Sequence, residues 1–210
     1  MIKNIEYLGQ EKNNGQYLMT TTNAEDANNN RVEAAYNDIY FYSEVNRNSV
    51  LILNKEIKKM NIAIKNHHAV YPNHTMQEKI HLHIASYGGG ILEAMASVDY
   101  IKNSVVPIVS CIDGYAASAA TILSVVANER YINEHGYVLV HQLSTGFWGK
   151  YFELGDKKEN CDNFMKLIKS IYQRHTKIPA KELNKILSHD LWFDAKTALK
   201  YSIIDDIKTF

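Results

Sequence analysis

The stretch Ile80-His81-Leu82-His83-Ile84-Ala85-Ser86-Tyr87-Gly88-Gly89-Gly90 decides how the rest of the chain is read. Ile80, Leu82 and Ile84 alternate with their neighbours, the period-two pattern of a strand. That strand runs into three consecutive glycines. Beyond them Ile91, Met95, Val98 and Ile101 or Lys102 recur at helical steps, tracing one apolar stripe. Strand, glycine turn and helix in succession form the unit from which parallel sheets are assembled.

Working outward, the same alternation continues. Ile39 to Tyr42 is β-branched and aromatic, hence a strand, and Val50, Leu53, Ile57, Met60 and Ile64 predict a helix over about 48–66. The continuous apolar run from Val105 to Ile112 around Pro107 reads as a strand buried on both faces. A turn at Gly114 follows, then a helix from Ser118 to near Ala127, and short strands near Arg130 to Ile132 and Tyr137 to Val140. A long helix is predicted from near Lys157 to His175. Pro179 opens a short helix, Asp194 caps another that starts at Ala195, and Ile203 with Ile204 form a last strand. Strand and helix alternating from residue 39 to 141 argue for an α/β domain with a largely parallel sheet.

Residues 1–37 differ. Asn13-Asn14-Gly15, Thr20-Thr21-Thr22 and Asn28-Asn29-Asn30 carry little apolar periodicity, so this segment reads as a flexible arm with at most one short strand. Residues 38–210 read as the packed domain. The 210 residues, 46% apolar, suffice for one sizeable core. Lys+Arg 23 against Asp+Glu 23 leaves a net charge of +0, which argues against a nucleic-acid grip built on excess basic residues. No apolar run approaches the roughly 18 residues that span a bilayer, so no membrane partner is expected. Met1-Ile2-Lys3-Asn4 lacks the apolar segment of a secretory signal. With Cys111 and Cys161 as the only cysteines, reduced thiols and a cytoplasmic location are expected.

Three places hold candidate chemistry. The Ser86 to Gly90 turn exposes backbone N–H groups at a helix N-terminus, but it lacks the spacing of a dinucleotide fingerprint and the lysine of a P-loop. It reads as an oxyanion-binding turn, or equally as a tight turn that needs positive φ. Ser118, flanked by Ala116-Ala117 and Ala119-Ala120 at a helix start, is placed as a nucleophile would be, or as an N-cap. His141 ends an apolar strand where a base could stand, and Asp190, in His189-Asp190-Leu191-Trp192-Phe193, is a candidate buried orienter. Each also has a plain reading, as a satisfied histidine and a turn aspartate. No Gly-x-Ser-x-Gly elbow is present. His81 and His83 share a strand face, with His67, His68 and His74 near in sequence, but no Cys or acidic ligand accompanies them at a recognised spacing, so no metal is expected. No cofactor is expected either. Phe147-Trp148 and Tyr151-Phe152 read as core or subunit interface rather than a base-stacking platform.

These motifs together resemble the ClpP family, the proteolytic subunits of the Clp protease. The family's Ser-Pro-Gly-Gly turn is similar to Ser86-Tyr87-Gly88-Gly89, its Gly-x-Ala-Ala-Ser motif to Gly114-Tyr115-Ala116-Ala117-Ser118, and its Met-Ile-His-Gln strand end to Leu139-Val140-His141-Gln142. Its aspartate before a helix start is similar to Asp190-Leu191-Trp192-Phe193-Asp194-Ala195. The resemblance runs from about Ile39 to Ile207, with the four motifs in the family's order. It implies a ClpP/crotonase-like αβ spiral with a protruding handle helix.

The resemblance further implies a catalytic triad of Ser118, His141 and Asp190, and an oxyanion hole made by the backbone N–H groups of Gly89 and Ala119. Substrate-binding strands would begin at Gly90 and Ile91 and run through Leu143, Ser144, Thr145 and Gly146, clamping an extended polypeptide by β-addition. The segment from Asn160 to His175 would be the handle that joins two heptameric rings into a tetradecamer. A separate AAA+ Clp ATPase would feed the chamber. Tyr87 stands where the family has proline, His81 and His83 where it commonly has ATPase-docking aromatics, and His189 where an arginine often precedes the aspartate. Three other readings compete: a phage-type ClpP-like maturation protease, a crotonase-type CoA-thioester enzyme, and a scaffold subunit of a mixed ring.

Overall fold

The computed structural model describes residues 31–71 and 78–208. The arm expected over 1–37 therefore falls outside the described residues up to Asn30. From Arg31 the chain is already in the sheet: β1 (Arg31–Ala35) pairs antiparallel with β2 (Asp38–Tyr42). Parallel partners follow, β3 (Ile80–Ser86), β4 (Ile108–Ala117), β5 (Glu129–Asn133) and β8 (Asp206–Lys208), so the sheet runs β1-β2-β3-β4-β5-β8. A spur leaves β4: β6 (Tyr137–Leu139) pairs with it in parallel and carries β7 (Trp192–Asp194) antiparallel on its other edge. Six helices complete this mixed α/β fold among the described residues: α1 (Arg47–Val70), α2 (Ile91–Lys102), α3 (Ala119–Val125), α4 (Tyr151–His175), α5 (Ala180–Leu187) and α6 (Ala195–Lys200).

The apolar periodicities account for the packing. Every second residue of β3 is buried, from Ile80 through Leu82 and Ile84 to Ser86, and the α1 stripe of Val50, Leu53, Ile57, Met60 and Ile64 lies in the core. Burying each such aliphatic side chain contributes about 1.5–3 kcal/mol. The start of α1 is set by Asn46, whose side-chain oxygen accepts the N–H groups of Asn48 and Ser49 at 3.0 Å each, while Ser49 Oγ accepts the Asn46 N–H at 3.0 Å. No helix among the described residues is long and apolar enough to cross a membrane.

Four sequence expectations are corrected. The apolar run from Val105 does not form strand until Ile108, because Pro107 has no N–H to give and its carbonyl instead accepts the Ile80 N–H at 2.9 Å. Gly114 is not a turn that ends the strand. At φ +90 it bends β4 in mid-course, so that Val109 to Ile112 pair with β5 whereas Tyr115 to Ala117 pair with β6. The last strand is Asp206–Lys208 rather than Ile203–Ile204; those isoleucines are consecutive and both fully buried after Ser202 at φ +53, which a two-faced strand edge cannot supply. The helix expected from Lys157 starts at Tyr151, where Glu153 accepts the Lys150 N–H at 2.9 Å.

Helix α4 divides its apolar residues between core and surface. Ile168, Ile171 and Tyr172 are buried in the chain's own core. Most of what stays exposed lies at and before its N-terminus, Trp148, Tyr151, Phe152 and Leu154, with Leu167 exposed further along. The cluster from Phe147 to Phe152 is thus not core within one chain.

Candidate active site

Ser118 joins β4 to α3 in a conformation, φ +55 and ψ −126, that side-chain-bearing residues rarely adopt. Such a residue costs on the order of 1–3 kcal/mol and persists only where its surroundings hold it. Here the Ser118 N–H donates to Leu139 O at 2.9 Å, and Ser118 O accepts the Thr121 N–H at 3.0 Å and Thr121 Oγ1 at 2.7 Å. Thr121 is in turn bonded to the hydroxyl of Tyr172, which is buried beneath it on α4. Ser118 stands at the N-cap position of α3, yet its hydroxyl makes no capping hydrogen bond. The N-cap reading therefore does not describe this side chain.

The glycine turn is packed against that junction. Ser86 Oγ donates to Ser43 O at 2.6 Å and accepts the Gly88 N–H at 3.1 Å. Gly88 has φ +92, and a Cβ on it would sit 2.5 Å from Ala117 O and 2.8 Å from the Ser118 Cβ. Only glycine permits both this φ and this approach. Val45 donates its N–H to Gly88 O and accepts the Gly90 N–H, each at 2.7 Å. In a parallel bridge these bonds go to the residues flanking Gly89, so the Gly89 N–H points away from Val45. The N–H of Ala119, first residue of α3, likewise has no partner within its own helix, at the positive end of the helix dipole.

The pairing of β6 with β4, Ala117 beside Leu139, carries His141 to the same region. His141 Nδ1 lies 3.1 Å from Asp190 Oδ1. The two loops are tied together on both sides, by the Gln142 N–H to Leu187 O at 2.8 Å and by the pairing of Leu139 with Trp192. Asp190 is not the buried orienter that its apolar neighbours suggested: its side chain is 77% exposed, against 22% for His141. The segment after α5 turns outward, and Leu191 and Trp192 are themselves exposed. The nearby Asp194 is committed elsewhere, accepting the Thr197 N–H at 2.8 Å as the cap of α6.

A cleft of about 210 Å³ is lined by Gly89, Ile91, Ser118, Ala119 and His141, with Leu143 and Ser144 continuing it. Gly90, Thr145 and Gly146 do not line it. Sequence reading missed Tyr87, Ile122, Gln142, Ile168 and Tyr172, which do. Ile122 lies one helical turn beyond Ser118, and Ile168 with Tyr172 share an i, i+4 face of α4, but periodicity cannot say which cavity such a face lines.

His81 and His83 lie elsewhere, on the face of β3 opposite Leu82. His83 Nδ1 is 2.7 Å from Asp113 Oδ2 and its Nε2 is 3.5 Å from Asp38. Tyr42 donates to the same Asp113 oxygen at 2.8 Å, and Tyr40 stacks on the imidazole. Burial alone would lower the His83 pKa, but the hydrogen bond and charge of Asp113, aided by Asp38, outweigh it and raise the value. Burial would raise the Asp113 carboxyl, but His83 and Tyr42 pull it below its ordinary range. His81, with less acidic company, is lowered by burial.

The sequence profile of a family described as Clp protease matches residues 32–209, from within β1 to just beyond β8. That span takes in every element that bounds the cleft, together with the mixed sheet on which they stand. The chain belongs to the Clp protease family and is a ClpP-type peptidase.

Proposed function

We propose that the chain is a serine endopeptidase in which Ser118 is the nucleophile, His141 the general base and acid, and Asp190 the carboxylate that orients the imidazole. The observation that carries this reading is the strained, uncapped Ser118 sharing one cleft with His141, whose far nitrogen meets a carboxylate. With the Nδ1 proton held by Asp190, Nε2 is left to take the Ser118 proton as Oγ attacks the peptide carbonyl. The tetrahedral oxyanion is stabilised by the N–H groups of Gly89 and Ala119. His141 then protonates the leaving amine as the C–N bond breaks, and water, activated by the same imidazole, releases the acyl group and restores the serine. Ile91, Leu143 and Ser144 border the cleft, so an extended peptide would lie between them and pair with the backbone from Gly90 and from Thr145 to Gly146. A CoA-thioester reaction would want a glutamate at this place, and the cleft lining holds none among the described residues.

In this reading the substrates are unfolded polypeptides and the peptidase domain works in the cytoplasm inside a ring chamber, fed by a separate AAA+ unfoldase. The exposed Trp148, Tyr151, Phe152 and Leu154 gather at the start of α4, and such exposed apolar side chains support a covering subunit. One experiment tests chemistry and assembly together: label the protein with a fluorophosphonate and measure its mass by light scattering in the same sample. The expected result is label on Ser118 alone, none in Ser118→Ala, and a particle of about 340 kDa, fourteen copies of 24.0 kDa. Label that persists in Ser118→Ala would refute the nucleophile, and a monomer at micromolar concentration would refute the ring.

A further inference from the structure

Helix α1 ends with His67 and His68 in its last turn, and Glu78 stands two residues before the start of β3 at Ile80. Glu78 is brought against both histidines: His67 Nδ1 lies 3.3 Å from Oε1, and His68 Nε2 lies 3.9 Å from Oε2. One ligand atom from each residue falls within 4.8 Å of the other two. Successive residues on a helix point about 100° apart, and the two imidazoles meet Glu78 through different ring nitrogens, Nδ1 of His67 and Nε2 of His68.

The spacing distinguishes an ion site from a simple ion pair. A direct charge-assisted N–H···O bond closes to about 2.7–2.9 Å. Two ligands of a tetrahedral ion held at about 2.0–2.1 Å stand about 3.3 Å apart. The His67–Glu78 separation of 3.3 Å matches the second geometry, whereas the 3.9 Å between His68 and Glu78 has to shorten as an ion binds. Two imidazoles and one carboxylate form a donor set that suits zinc, with the fourth position left to water. The carbonyl end of α1 adds partial negative charge beside the site. Tyr71 packs on the His67 ring at 5.0 Å between centroids and limits its rotation, and the Tyr71 N–H is bonded to His67 O at 2.9 Å. The His67 side chain is 9% exposed and that of Glu78 20%, so two of the three ligands are held in a largely water-excluded niche rather than on an open surface.

We propose that His67, His68 and Glu78 form a divalent-metal site of the zinc class, a clip that ties the end of α1 to the start of β3. An ion here ties Glu78 to the end of α1 and fixes the entry of the strand that delivers the glycine turn to the cleft. Because the unfolded chain does not hold these three groups together, binding free energy adds to folding free energy.

The test uses the untagged full chain, stripped with a chelator and titrated with Zn²⁺ by calorimetry, with Co²⁺ as the spectroscopic substitute. The expected result is one ion per chain at low-micromolar affinity, a Co²⁺ absorption spectrum of tetrahedral type, and a Tm that rises with added Zn²⁺. His67→Ala and Glu78→Gln should each weaken binding at least about tenfold and abolish the Tm rise, whereas His81→Ala leaves both unchanged. Circular dichroism of the variants in the absence of metal establishes that they fold. No saturable binding below about 100 µM, a Kd that corresponds to only about 5.5 kcal/mol, overturns the site. So does affinity that survives both ligand substitutions.

Discussion

Replacing Asp190 by asparagine tests the least buried part of the proposed triad. In a fully enclosed triad of this kind the substitution costs about 10⁴ in rate, because the carboxamide is pinned with its N–H against the imidazole and enforces the wrong tautomer. Asp190 is 77% exposed, so its asparagine would be free to turn its carbonyl oxygen to Nδ1 and keep part of the population in the productive tautomer. The charge itself contributes modestly: a carboxylate about 4 Å from an imidazolium is worth about 1 kcal/mol in water and about 4 kcal/mol near a protein surface, and exposure places it toward the lower end. Taken together these bound the loss at about 10–10² in kcat, with KM nearly unchanged because Asp190 does not line the cleft. Steady-state hydrolysis of a short fluorogenic peptide measures both constants. A loss below about fivefold would remove Asp190 from the mechanism, with Asp194 no substitute since it caps α6. A loss of 10⁴ or more would show that assembly encloses Asp190.

Two glycines separate backbone strain from steric approach. Gly114→Ala meets open space and incurs only the positive-φ penalty of about 1–2 kcal/mol in stability, whereas Gly88→Ala also drives a methyl group into Ala117 O and the Ser118 Cβ. Displacing the proposed nucleophile, Ser118, by about 1 Å should lower kcat about 10²-fold, and a Gly88→Ala enzyme as active as Gly114→Ala would refute the assigned approach. The His83–Asp113 pair should leave a pH signature. The raised His83 pKa means that its contribution is complete below the unfolded value near 6.5 and is lost as pH rises through the folded one; the lowered Asp113 pKa means a contribution present above about 3.9 and lost as pH falls. The stability gap between wild type and His83→Gln in urea should thus be widest at about pH 5–6 and shrink above neutrality. An equal gap at both ends would contradict the pairing.

Local pattern determined most of the elements. The alternation of Ile80, Leu82 and Ile84 and the stripe from Val50 to Ile64 report burial directly, because a strand repeats every two residues and a helix every 3.6. The candidate residues Ser118, His141 and Asp190 were legible as motifs, since small residues around a serine and glycines after a strand leave a local trace. Their convergence was not legible, because it depends on β6 leaving β5 and pairing with the second half of β4. That exchange rests on the bend at Gly114, a backbone choice that one glycine permits but does not dictate. The exposure of Asp190 follows from the path of one turn after α5, which no periodicity encodes. Glu78 was invisible as a companion of His67 and His68 for the same reason: contact across a chain reversal is set by how a helix end packs beside a strand start, and sequence separation carries no trace of it.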